Sequence, residues 1–124
     1  MMIDHEFESL PKQFHTQIPT ADYVLGIEPS STCPNGTRGR AAVMEIMEVS
    51  EDIRELILSR ASEEDLYSAA RKNGFMTMKE DAICKALEHV IPFEEANTLG
   101  GALLEPDAAE VVDTAHIQEI ENAV

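Results

Sequence analysis

Arg38 and Arg40 are the most informative charges in this chain. They stand two apart in Gly36-Thr37-Arg38-Gly39-Arg40, against a background of 9 lysines and arginines, 24 aspartates and glutamates and a formal net charge of −15. A guanidinium fork suits oxyanions, so the pair could meet a phosphate or an acidic neighbour across a subunit interface. The plain alternative is two solvated turn arginines. The surrounding glycines do not make a phosphate-binding loop. That pattern needs a lysine and then serine or threonine opening a helix, whereas this segment lacks the lysine and leads into a predicted strand. Other reactive side chains are scattered. His5, His15, His89 and His116 show no His-x-x-x-His spacing, and Cys33 and Cys84 no Cys-x-x-Cys spacing, so no metal site is expected. The acids Glu63-Glu64-Asp65 and Glu94-Glu95 fall at predicted helix starts, where the positive end of the helix dipole accounts for them. No catalytic residue is assigned, because nothing implies the pocket that a working carboxylate pair would need.

The composition narrows the setting of these residues. A chain of 124 residues can build one domain with a real core, but hardly two. Aromatics make up 5% and tryptophan is absent, so the core must come from Leu, Ile, Val, Ala and Met. The acidity argues against a nucleic-acid partner and against direct binding to anionic lipid. No apolar run approaches the roughly 20 residues that span a bilayer, so no direct membrane insertion is expected. The opening MMIDHEFESLPKQ lacks the basic and apolar regions of an export signal. A cytoplasmic, reducing compartment with two free thiols is the resulting expectation.

The elements that position the arginines can be read from punctuation. Residues 1–20 read as a helical lead-in or linker, with Pro11 opening a turn and Leu10, Phe14 and Ile18 on one side. Residues 23–28 and 40–48 read as two strands of an antiparallel hairpin, joined through Pro29–Gly36, where Asn35-Gly36 signals a turn. Three helices follow from their caps and stripes. Ser50 caps the first, with Ile53, Leu56 and Ile57 as its apolar stripe, and Ser62 caps the second, with Leu66, Ala69 and Ala70 as its buried side. Asn73-Gly74 stops that second helix. Thr77 with Glu80 forms a capping box for the third, whose stripe is Met78, Ala82, Ile83, Ala86, Leu87 and Val90. Pro92 opens a short fourth through Phe93, Ala96 and Leu99. The fold class expected is therefore α+β: a short N-terminal β-hairpin, then a bundle of three to four short helices, with 21–99 as the domain. No lysine or arginine follows Lys85, and residues 100–124 read as an acidic tail, partly helical or disordered.

From Cys33 to Leu99 the order of these parts resembles the C-terminal part of the type II secretion and type IV pilus assembly ATPases. The resemblance rests on the Gly39-Arg40 step into a strand ending Glu45-Ile46-Met47-Glu48-Val49, and on the helix Ile53-Arg54-Glu55-Leu56-Ile57. It continues through Ala70, Gly74, Phe75, Met76, Thr77, Met78 and Asp81 to the closing Pro92-Phe93-Glu94-Glu95-Ala96, with Leu10-Pro11 upstream. It implies a hexameric motor docked on an inner-membrane platform protein, with ATP and magnesium held by a RecA-like core that would precede residue 1. This chain would then be the support and oligomerisation domain, cytoplasmic or peripheral at the inner membrane, and unable to hydrolyse ATP alone. Arg38, Arg40 and Glu45 are the interface candidates towards the core and neighbouring subunits. Many relatives of this kind bind zinc through four cysteines in the loop before the strand. Here that loop is shorter and keeps only Cys33, which speaks against zinc. The rival expectation is a free-standing acidic helical module for protein–protein interaction.

Overall fold

A computed structural model describes residues 2–99. Four α-helices follow two short 3₁₀ turns at Met2–His5 and Lys12–Gln17: α1 (Glu51–Leu58), α2 (Glu63–Lys72), α3 (Met78–Leu87) and α4 (Phe93–Thr98). The caps expected from sequence set the starts. Ser62 Oγ accepts the Asp65 amide at 3.1 Å. At α3, Thr77 Oγ1 accepts the Glu80 amide at 3.3 Å while the Glu80 carboxylate takes the Thr77 amide at 2.8 Å, a complete capping box. Ser50 is the N-cap residue of α1, but its hydroxyl turns to Asp52 and to Asn73 instead of to the helix.

The ends of α1, α2 and α3 share one device. The amides of Ala61, Phe75 and Val90 reach back to the carbonyls of Leu56, Ala70 and Lys85, and the residue before each is left-handed: Arg60, Gly74 and His89. This is the Schellman closure, which satisfies carbonyls that a helix end would leave orphaned. Gly74 is indispensable there, because its φ is +87° and an added Cβ would lie 2.7 Å from the Phe14 ring.

The core lies between the lead-in, α3 and α4. Phe7 and Leu10 pack with Ala82, Ile83, Cys84, Ala86, Leu87 and Ala96, and Phe14, Ile18, Val43 and Phe93 close its sides. α3 packs on α4 and α1 on α2, where Ile53 and Ala70 are buried. The two halves are joined by an ion pair that no sequence pattern announces. Arg71 on α2 and Glu80 on α3 are 4% and 3% exposed. The guanidinium grips both carboxylate oxygens and also donates to Ser9 Oγ at 2.9 Å and the Phe75 carbonyl at 2.6 Å. Every polar group of the pair is therefore answered, the condition under which a buried pair is tolerated.

The α+β expectation is wrong for the described residues. They contain no strand, and the 23–28/40–48 hairpin does not form. Each run instead lies against the helices. The Tyr23 carbonyl accepts from His89 Nε2 at 2.9 Å, the Leu25 carbonyl from the Phe93 amide at 2.9 Å, and the Ile27 amide donates to Glu94 at 3.3 Å. The Met44 amide donates to Asp81 at 2.9 Å. These helix-borne partners take main-chain groups that a hairpin ladder would have used, and a two-stranded ribbon has little stability of its own to set against them. The turn between the runs does form, with Gly36 N–H donating to the Cys33 carbonyl at 3.0 Å. The expected acidic tail, 100–124, lies outside the described residues.

Candidate functional site

The segment 37–49 carries the three residues singled out by sequence, and the fold separates them. Arg38 and Arg40 line an open groove of about 550 Å³ between this segment and the corner from Val90 to Leu99. Its apolar surface comes from Val43, Ile91, Pro92 and Leu99, and Glu95 also lines it. Arg38 is oriented by one N–H donated to the Thr32 carbonyl. Arg40 has no ion pair or hydrogen bond among the described residues. A guanidinium has five donors, so both arginines keep most of their capacity to bind an acid.

Glu45 lies elsewhere. Its carboxylate accepts the Met78 amide at 2.9 Å, at the first residue of α3, while Asp81 one turn later accepts the Met44 amide at 2.9 Å. This reciprocal clasp makes Glu45 a structural residue. It sets a negative charge at the positive end of α3 and answers an N–H that the helix cannot. Lys85 pairs with Asp81 from the following turn, so the clasp runs into the middle of α3.

Beyond the clasp the segment is bare. Ile46 is 74% exposed and Val49 59%, with Met44 and Met47 also exposed. Ala41, Ala42, Val43, Ile46, Met47 and Val49 make no main-chain hydrogen bond among the described residues. Apolar side chains beside unpaired main-chain groups form a surface suited to another chain. Exposed apolar residues also occur on and beside the helices, among them Ile57, Leu58, Tyr67 and Val90.

Reactive groups elsewhere are quiet. Cys84 is buried in the core, where burial, then the nearby Asp81, Glu88 and Glu80 carboxylates, push its thiol from the ordinary 9.0 up to about 11. Cys33 is half-buried and its Sγ lies 3.4 Å from the Thr37 carbonyl. Both are free thiols. Asp52 is held below the usual carboxylate range by the Ser50 hydroxyl and then by Asn73. Among the described residues no three His, Cys, Asp or Glu side chains converge as a metal site, and no helix is long and apolar enough to cross a membrane.

A family profile described as "Type II/IV secretion system protein" matches residues 12–98, nearly the whole described fold. The chain belongs to that family. It is 32% identical over 66 residues to the type II secretion system protein E of Xanthomonas campestris pv. campestris, covering 53% of this chain and 12% of that protein. It is 35% identical over 60 residues to the type IV pilus assembly ATPase PilB of Thermus thermophilus, covering 48% of this chain and 7% of that protein. Against the type IV pilus assembly ATPase PilB of Pseudomonas aeruginosa the figures are 26% over 65 residues, 52% and 12%. No solved structure matches the chain. It therefore spans only about a tenth of the length of these curated relatives.

Two residues that matter to the site are hard to find from sequence. Asp81 belongs to the resemblance without a role attached, and Arg71 stands outside it. Asp81 carries one signal, an acid four residues before Lys85 in the first turn of α3. Arg71 carries no local one, since its partner sits across a helix boundary.

Proposed function

We propose that this chain is the support and oligomerisation domain of a hexameric ATPase that drives type IV pilus assembly or type II protein secretion. The observation that carries the reading is the run Ile46–Val49, where Ile46, Met47 and Val49 are exposed apolar residues with no main-chain hydrogen bond among the described residues, beside the clasp to α3. A helical unit that closes its own helix ends has no internal need for such a segment, whereas a partner protein does. Membership of a family that includes secretion and pilus ATPases supports the reading. The proposed partners are the nucleotide-binding core and neighbouring subunits, on an inner-membrane platform. ATP and magnesium would belong to that core, and this chain would act without either, in the cytoplasm or at the inner-membrane surface. Arg38 and Arg40 are proposed contacts to acidic surfaces of the assembly. Glu45 would act indirectly, by setting the angle at which Ile46–Val49 leaves α3.

The test is to mix the chain with a matching ATPase core and measure assembly and ATP turnover. The chain alone should show no turnover and should raise both with the core, and Ile46→Asp should abolish the increase while leaving the helices folded. ATP hydrolysis by the chain alone would overturn the reading.

A further inference from the structure

The groove between 37–43 and the corner 90–99 holds charges that do not cancel. We infer that it docks an extended, acidic and apolar segment of a partner protein, whose carboxylates meet Arg38 and Arg40 while its apolar side chains seat on Val43, Ile91, Pro92 and Leu99. The partner so defined belongs to the docking role proposed above for the two arginines, and rests on that reading. Charge is the first support. Arg40 and Glu95 line the same groove, yet neither side chain has an ion pair or hydrogen bond among the described residues. Arg38 has one N–H committed, to the Thr32 carbonyl. Two exposed guanidinium groups that no carboxylate answers are a local reversal of sign in a chain of net charge −15. Such a spot attracts a short acidic stretch, whereas a long polyanion such as a nucleic acid would also meet the surrounding carboxylates. Shape and main chain are the second support. The four apolar lining residues are half-buried and keep a face towards the groove, whose volume of about 550 Å³ is that of a ligand cleft. Along one wall Ala41, Ala42 and Val43 make no main-chain hydrogen bond among the described residues, so their N–H and C=O groups can serve an extended peptide. Glu95, on the α4 side, gives the site a direction. It repels an acid there and confines the peptide's carboxylates to the arginine side.

The experiment uses the full 124-residue chain and a fluorescently labelled peptide, acetyl-Asp-Glu-Leu-Val-Glu-Leu, titrated by anisotropy. Saturable binding is expected, with slower hydrogen exchange at 41–43 when the peptide is bound. Arg40→Glu, which removes no contact among the described residues, should weaken binding about fivefold, as should about 0.5 M salt. Glu95→Gln should tighten it about twofold, and exchange in α2 and α3 should be unchanged in both variants. No saturable binding up to about 1 mM would overturn the proposal. Equal affinity in Arg40→Glu, or for acetyl-Lys-Lys-Leu-Val-Lys-Leu or hexaglutamate, would do the same. Dimers of the chain that Arg40→Glu dissociates would also overturn it, by assigning the groove to a second copy. Because no ATPase core is present, the two readings fail separately. Absent peptide binding with turnover of the core still raised would sink only the acidic segment, and peptide binding without any effect on the core would sink only the ATPase role.

Discussion

The helices from Glu51 to Thr98 close many of their own ends locally, while the run from Ala21 to Val49 leans on them for partners. In the helical half, side-chain caps start α2 and α3, and Schellman closures end α1, α2 and α3 within a few residues. In the other half the main chain is fastened to the helices at four points, all supplied by α3, α4 or the turn between them, and is bare at Ile46, Met47 and Val49. Elements that close locally are fixed by local sequence. Elements that close through a distant or missing surface are fixed by that surface.

The helical half is most vulnerable where its two helix pairs meet. Arg71→Met would leave Glu80 buried without its cation, at a cost of about 3–5 kcal/mol. Against the marginal stability of a small domain this should abolish cooperative unfolding or lower the urea midpoint drastically. Gly74→Ala comes next. It forces a non-glycine residue to φ +87° and pushes a methyl into Phe14, so a loss of about 2 kcal/mol is expected in urea titration. Glu45→Ala tests the seam between the halves: about 1 kcal/mol or less of stability, with faster exchange confined to Met44 and the first turn of α3. Ile46→Asp should change stability by no more than about 0.5 kcal/mol while ending association with a core, because the side chain stands in water.

The two cysteines offer a milder probe of the same contrast. At pH 8 a thiol reagent should label Cys33 readily and leave Cys84 unmodified until the chain unfolds. The sign of the pH dependence follows from the raised thiol. In the unfolded chain Cys84 ionises near 9.0, and in the folded one near 11, so ionisation favours unfolding. The folded state keeps its full stability below pH 9 and loses it progressively as the pH rises towards 11, a decline that Cys84→Ser should remove from the high-pH end of a stability profile.

What can be read from sequence follows the same division. Thr77 and Glu80 announce the start of α3, Asn73-Gly74 the end of α2 and Pro92 the start of α4, each from a handful of adjacent residues. Leu10, Phe14 and Ile18 are legible as one face, and all three pack on the core. Phe7, three residues before Leu10, falls outside that pattern, though it is among the most deeply buried side chains. The β-propensity of 40–48 suggests a pairing with 23–28 that the fold does not contain, because propensity reports that a segment suits a sheet and not which sheet, if any, receives it. At the candidate site, the arginines are legible as unusual charges in an acidic chain. Glu45 is legible as part of the segment, but its capping of α3 depends on a contact 33 residues away that no spacing rule encodes.

Hydrogen exchange of the Ile46, Met47 and Val49 amides in the isolated chain, referenced to Ala82–Ala86 in α3, bears most directly on whether this segment awaits a partner. Near-unprotected exchange is expected at the three, with strong protection in the helix, as befits a surface completed only by another protein. Protection at Ile46–Val49 equal to that of α3 would contradict this, and would describe instead an acidic module that covers its own edge.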